Sequence, residues 1–475
     1  MLIIAIPIAA AGLAYLLPWA RARPFLLPLA GLAHTAAVAA ALTGAAAPAA
    51  DGWLMLDPFS RLILPTLSVL FLGCALYAPA YLWQRADRDN RVFVACLLLL
   101  LATMSLVTLA QHLGLMWVAV EASTLATGPL LYFNRTPRAL EATWKFLLIS
   151  SVGIALALLG TFFLAYSALR GGMEPSLMFG ELVQSAPWLS RPWLNAAFST
   201  LLVGYGTKMG LAPMHTWKPD AYGEAPGVVG ALLAGGLTSC AFVAILRFTK
   251  IMYAAGEQAF VGQTLVAMGL MSMTVAAVFM VRQRDFKRML AYSSVEHMGI
   301  LVLGIGIGGV GAFGAMLHVL NNAFTKGVLF LSSGNIHRAY GSKSTAEVSG
   351  ALARLPVSGG LFLAGFIAIT GSPPFGPFFS EFTILRAALE SQRYGAAAWF
   401  LLMLAIVFIG MGSTVLAVVQ GAPPPAARAG AYRETLGTVL PVFLFMLLVL
   451  LLGVYIPEPV ANLLHGAADY LEATP

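Results

Sequence analysis

The chain has 475 residues, 59% of them hydrophobic and 10% charged, and its mean hydropathy is +0.84. Such a composition excludes an ordinary soluble enzyme and places the bulk of the chain in a bilayer. The net charge of +7 reads as orientation information, because the basic residues fall between apolar segments rather than in a nucleic-acid-binding cluster.

In chain order, hydropathy predicts about fourteen spans, roughly 2–19, 24–47, 58–83, 91–110, 112–132, 140–168, 193–217, 225–249, 258–281, 289–307, 309–333, 357–388, 396–420 and 436–456. The first, from Leu2, lacks a basic leader and a convincing small-residue cleavage site, so it reads as a retained span rather than a signal peptide. With both termini outside, the inward loops hold seventeen of the 27 Lys and Arg residues, among them Arg23, Lys218, Lys287, Arg288 and Arg428. The outward loops hold six, including Arg247 and Lys250. This asymmetry follows the positive-inside rule.

Cys74, Cys96 and Cys240 sit in apolar segments with no CxxC or Cys/His spacing. No phosphate-binding loop, dinucleotide fingerprint or activated nucleophile is present in the sequence. The expectation is therefore no cofactor, cluster or metal in this chain, with any redox chemistry in partner subunits.

Ionisable residues inside the spans carry the functional signal, since a charge at the bilayer centre costs roughly 2.5–3.5 kcal/mol on insertion scales. Lys208 lies between Gly206 and Gly210 in the seventh span, just before Pro213, where a broken ladder is tolerated only inside protein or along a wet cavity. The charges form two sets. Glu121, Lys145 and Lys208 fall in spans five to seven, and Glu296, Lys326 and Glu381 in spans ten to twelve. Glu121 and Lys208 are 87 positions apart, and Glu296 and Glu381 are 85 apart. The seventh and twelfth spans share a Gly/Pro interruption, GLAP at 210–213 and GSPPFGP at 371–377. Paired broken helices point to a transport site, and a repeat of five helices must invert its second copy.

The expected fold is thus an all-α integral membrane protein of about 14 transmembrane helices, with two inverted five-helix repeats and broken helices 7 and 12. Its parts are 1–90 (helices 1–3), 91–249 (first repeat), 258–420 (second repeat) and 421–475 (helix 14 and tail).

Five stretches carry a resemblance: MWVAVEAST at 116–124, GTKMGLAPMHTWKPDA at 206–221, DFKRMLAYSSVEHMG at 285–299, HVLNNAFTKGVLFLSSGNI at 318–336 and GSPPFGPFFSEF at 371–382. Together they resemble the antiporter-like subunits of respiratory complex I, the energy-converting nickel-iron hydrogenases and the multisubunit cation/proton antiporters. EATWKFLLISSVGIA at 141–155 looks most like the membrane subunit of hydrogenase-4-type complexes. The resemblance implies that Glu121 is the glutamate that pairs with and modulates a lysine, and that Lys208 is the proton-carrying lysine of the first broken helix. It implies that His318 and Lys326 are the central polar groups of helix 11, and that Glu381 is the terminal group of the second broken helix. The eighth span departs from the pattern, offering Ser239 and Thr238 where relatives often have Lys or His. Asn322 stands where some relatives carry a second histidine. About twenty residues follow the last span, too few for the long lateral helix of the largest members of the family.

Lys145 fits either a relay or a snorkelling anchor. Glu296 and His297, near a span boundary, fit either proton uptake or structural hydrogen bonding. His215 suits a cap on carbonyls freed by the break, Arg61 an interfacial anchor, and His34, His112, His337 and His465 fall in loops or at helix ends. The leading expectation is a proton-translocating subunit of a multisubunit redox complex in a bacterial cytoplasmic membrane. Other membrane subunits and peripheral metal-bearing redox subunits would be its partners. The alternatives are a cation/proton antiporter subunit, moving protons or sodium ions, and a non-conducting scaffold.

Overall fold

The computed structural model describes residues 1–44, 52–425, 427 and 430–473. Arg428 and the expected end of the second span at 47 lie outside the described residues. Among the described residues every regular element is helical. The first six are α1 (Leu2–Leu16), α2 (Leu26–Leu42), α3 (Pro58–Trp83), α4 (Arg91–Leu109), α5 (Leu113–Leu131) and α6 (Pro137–Arg170). The short α7 (Phe179–Ser185) precedes α8 (Arg191–Met209), α9 (Trp217–Glu224), α10 (Gly227–Leu232) and α11 (Thr238–Ala254). The second half holds α12 (Gln258–Met280), α13 (Phe286–Ile307), α14 (Val310–Tyr340), the single turn α15 (Ala351–Arg354), α16 (Pro356–Ile369), α17 (Gly376–Glu390) and α18 (Tyr394–Val419). Two further helices, Leu436–Val454 and Glu458–Glu472, close the chain.

Local chemistry sets these starts. Asp57 Oδ1 accepts from Ser60 N at 2.7 Å with Pro58 as the first helical residue of α3, and Thr136 caps α6 ahead of Pro137. Among the described residues, ten helical stretches are long and apolar enough to cross a membrane. Burial separates them: the stretch 227–254 is wholly enclosed and α13 nearly so, whereas α2 and α6 leave most of their surface outside. The centre of the molecule is therefore built from α10–α11, α13 and α14, with α2, α6, α12 and α18 on its flanks. This is an all-helical, multi-pass integral membrane protein.

Two helices are interrupted, for related reasons. α8 stops at Gly210, which has φ +82°, and the chain resumes at α9. α16 gives way at Gly371, with φ +68°, before α17. Both glycines adopt a left-handed conformation that other residues rarely take, and both back onto an ionisable side chain from beyond the break. A Cβ on Gly210 would lie 2.2 Å from Lys218 Cε, and one on Gly371 would lie 2.2 Å from Glu381 Oε2.

Several charges sit deeper than the loop positions expected of them. Lys218, Lys287, Arg247, Lys250 and Arg23 are buried. For all of these but Lys218, the reason is that carbonyls at helix ends give such groups internal partners. Lys287 donates to Ala225 O, Lys250 to Ala473 O, and Arg23 to Leu17 O and Asn90 Oδ1. Arg247 reaches the C-terminal carbonyls Thr108 O (2.6 Å) and Ala110 O (2.7 Å) at the end of α4 while its Nη2 pairs with Asp57 Oδ2 at 2.9 Å. His34 is not at a helix end but buried within α2, between Ser68 Oγ (2.8 Å) and Ser105 Oγ (2.9 Å). His465 lies inside the C-terminal helix, stacked on Phe313 at 4.5 Å.

Candidate functional site

The first buried polar cluster joins α5, α6 and α8. Lys208, in the last turn of α8, is buried, and its Nζ donates to Thr124 Oγ1 at 2.6 Å. Thr124 follows Glu121 by one turn of α5, and its hydroxyl lies 3.3 Å from Glu121 Oε2. The expected Glu121–Lys208 pair is thus bridged by a hydroxyl rather than made directly. Phe146 of α6 offers its ring face to Lys208 Nζ, 4.9 Å from the centroid. Ser151, on the same helix, donates to Glu121 Oε1 at 3.0 Å. Ser151 is exposed and Glu121 half-buried, so this cluster opens on the flank that α5 and α6 present.

The second cluster is closed. Lys218 of α9 donates from Nζ to Ser294 Oγ at 3.1 Å, and Lys326 of α14 donates to the adjacent Ser293 Oγ at 2.7 Å. One turn further along α13 come Glu296 and His297, both buried. Ser380 donates to Pro377 O at 2.9 Å, which leaves its lone pairs for His318 Nδ1 at 2.8 Å. That fixes His318 Nε2 as the acceptor for His297 Nδ1–H, 2.9 Å away. Glu381 Oε1 lies 4.0 Å from His297 Nδ1, and Glu296 Oε2 lies 3.9 Å from His297 Nε2. Glu381 Oε1 and His297 Nε2 have no hydrogen-bond partner among the described residues. Leaving such atoms unpaired costs about 1–3 kcal/mol each, which makes them natural places for an arriving proton.

Between the clusters, the helix formed by α10 and α11 passes through a π turn at Leu233–Leu237, a distortion frequent at functional sites. Ser239 Oγ donates back to Gly235 O at 2.7 Å, and Asn322 Nδ2 reaches Ala234 O at 3.4 Å. Ser239 and the Asn322 amide nitrogen are thus occupied by carbonyls of this helix, while Asn322 Oδ1 has no partner among the described residues.

Chemically, the lysines, imidazoles and hydroxyls can hold and pass protons without covalent chemistry. Donor atoms of His297, His318 and Glu381 also lie within 4.8 Å of one another. Two imidazoles and a carboxylate form a set that a zinc-class ion accepts, so these are the residues that could hold a metal.

A profile described as NADH:quinone oxidoreductase/Mrp antiporter, TM, matches residues 110–408. The chain belongs to this family. It is 40% identical over 369 residues to a Hydrogenase-4 component F homolog of Methylacidiphilum infernorum, covering 76% of each chain. Its fold matches a chain of the Mrp complex from Dietzia sp. with a TM-score of 0.87 at 21% identity, covering 99% of this chain and 96% of that one. It also matches a chain of respiratory complex I from Thermus thermophilus with a TM-score of 0.74 at 26% identity, covering 98% and 99%.

Against that family pattern, the structure places the expected residues as follows. His318, Lys326, Glu296, His297 and Glu381 come together in the closed cluster, with Glu296 and His297 well inside rather than at a span boundary. Glu121 and Lys208 form the open cluster. Lys145 belongs to neither: its side chain is 45% exposed and binds Glu141 at 2.6 Å and Asp220 at 3.0 Å, which is the snorkelling outcome. His215 Nδ1 has no hydrogen-bond partner among the described residues. Thr124, Ser293, Ser294, Ser380 and Lys218 are the polar members that sequence reasoning missed. Lys218, eight residues after Gly210, carries no local signal that separates it from a loop charge.

Proposed function

We propose that the chain is a proton-translocating antiporter-like membrane subunit of a multisubunit redox complex of the hydrogenase-4 or complex I-like kind. The observation that carries this reading is the pair of polar clusters at two helix breaks. In them buried lysines end on hydroxyls rather than carboxylates, leaving each ammonium free to trade its proton. Among the described residues, the ion pairs that lysines do make with carboxylates belong to Lys145 and Lys343 near the surface. Glu121, Lys208, His318, Lys326 and Glu381 carry the proton, with Glu296 and His297 lining the closed cluster and Ser239 and Asn322 left to structural bonds.

The open flank supplies the control. At an effective dielectric of about 20, a unit charge 4 Å away shifts an ion's energy by about 4 kcal/mol. A neighbouring subunit that moves a charge near Glu121 therefore changes how tightly Lys208 keeps its proton. The face beside Glu121 suits a protein neighbour: α6 exposes Leu140, Trp144, Leu148, Val152, Leu159 and Phe162, and a half-open carboxylate among them is costly against lipid alone.

We further propose fourteen crossings with both termini outside, in a bacterial cytoplasmic membrane, and two inverted five-helix repeats at 91–249 and 258–420. The matched left-handed glycines at the two breaks and the charge asymmetry of the loops support this arrangement.

The test is a pull-down in mild detergent followed by proton uptake in vesicles holding the complex, with Lys208 intact or changed to Ala. Copurifying hydrogenase subunits, with uptake lost and assembly kept in Lys208→Ala, support the redox-pump reading. Sodium-dependent transport without an electron donor supports the cation/proton antiporter instead, and unchanged uptake in the variant supports the scaffold.

A further inference from the structure

We infer that Lys218 is the proton-carrying group that joins the two clusters, standing in for the base that the eighth span lacks. The inference rests on the transport reading above and deepens it. Lys218 is fully buried, and among the described residues no carboxylate pairs with it: its Nζ ends on Ser294 Oγ. The carboxylate two residues on, Asp220, turns to the surface and binds Lys145 and Arg288. A buried cation without a counter-ion costs several kcal/mol, and a structural ion pair does not explain this one. Snorkelling does not explain it either, since the amine points to the interior.

The position of the amine links the two sides. A Cβ on Gly210 would lie 2.7 Å from Lys218 Nζ, so the amine packs against the residue two places beyond Lys208. Its other contact, Ser294, is the neighbour of Ser293, which holds Lys326. The two ammonium groups of the closed cluster thus end on consecutive hydroxyls, with Lys218 on the side of Lys208. The eighth span itself offers no titratable base: the hydroxyls of Thr238 and Ser239 donate to Ala234 O and Gly235 O of their own helix. Only glycine at 210 leaves room for the lysine stem, which ties the break itself to the presence of this side chain.

The transfer is a relay. An N–H bond on Lys208 breaks as one forms on the neutral amine of Lys218, through water, and the positive charge moves with the proton. The same exchange through the Ser294 hydroxyl, a bridging water and the Ser293 hydroxyl delivers it to Lys326. The groups facing Lys218 are Ser294 and His297 of α13, Lys326 of α14, Tyr222 and His215 of its own segment, and Gly210 at the end of α8.

The experiment measures proton uptake against pH in vesicles containing the assembled complex, for the wild type, Lys208→Ala, Lys218→Met, Lys218→His and Ser294→Ala. Met keeps the length and suits an apolar pocket, so a structural role predicts normal uptake. The relay predicts a loss of at least about tenfold, which corresponds to 1.4 kcal/mol. It predicts that Lys218→His retains uptake with its pH optimum moved downward, because imidazole titrates near 6.5 and an amine near 10.4 in free peptides. Wild-type uptake in Lys218→Met beside an inactive Lys208→Ala overturns the relay and leaves the transport reading standing. If Lys218→Met fails to assemble, wild-type pH profiles in both Lys218→His and Ser294→Ala overturn it. A wild-type complex that moves no protons overturns both.

Discussion

The two polar clusters solve the same problem differently. Around Lys208, one hydroxyl, one aromatic face and one carboxylate from two helices suffice, and the carboxylate looks out through an exposed serine. Around Lys326 and His318, six buried ionisable groups come from α9, α13, α14 and α17, and every contact is internal. The open cluster is cheap to perturb from outside, whereas the closed one is insulated and must be balanced within itself. The contrast teaches that sensitivity and conduction are separable: the half-buried carboxylate is where a neighbour can act, and the closed cluster is where a proton is passed on.

The largest expected effect breaks that internal balance. Lys326→Ala removes the cation that faces buried Glu296, and uncompensated buried charge costs about 3–5 kcal/mol. Thermal unfolding in detergent should show a strongly lowered Tm, whereas Glu121→Gln, at the open flank, should move it little. Equal shifts in the two variants would erase the distinction between the clusters.

Next come the breaks. Gly371→Ala and Gly210→Ala each place a Cβ within 2.2 Å of Glu381 or Lys218 and force a left-handed alanine, a strain of about 1–3 kcal/mol. Both should lose uptake with assembly intact. The comparison is sharpened by a smaller change, Thr124→Val, which removes the bridge between Lys208 and Glu121. Leaving the buried amine unserved costs about 1–3 kcal/mol, and Thr124→Ser should restore the wild-type unfolding curve. The smallest effect is that of Ser151→Ala: an exposed hydroxyl is lost, stability should stay within about 0.5 kcal/mol, and only the response of uptake to the neighbouring subunit should change.

The helical fold and both interruptions were legible because apolar length and Gly/Pro punctuation are local signals. Lys208, Lys326, His318 and Glu381 were visible for the same reason, as ionisable residues where hydropathy forbids them. What the sequence hid is pairing across distance. Lys218, Lys287 and Arg247 looked like loop charges because each sits within a turn or two of a span end. Nothing in their neighbourhood announces the carbonyls of Ala225 or Thr108, or the hydroxyl of Ser294, that let them turn inward. Lys145 shows the converse, a lysine inside a span whose partners Glu141 and Asp220 draw it to the surface. Thr124 escaped notice because a threonine in an apolar helix ordinarily bonds its own backbone.

The Asp57–Arg247 pair bears on how the protein is made. Its halves are 190 residues apart, and Arg247 also closes the end of α4, so a single guanidinium fastens three segments that leave the ribosome at well-separated times. Until α11 arrives, the start of α3 holds a carboxylate with no cation, and α11 itself carries a cation that lipid rejects. The expected consequence for biogenesis is that α3 to α5 stand as an unfinished socket until Arg247 of α11 closes it.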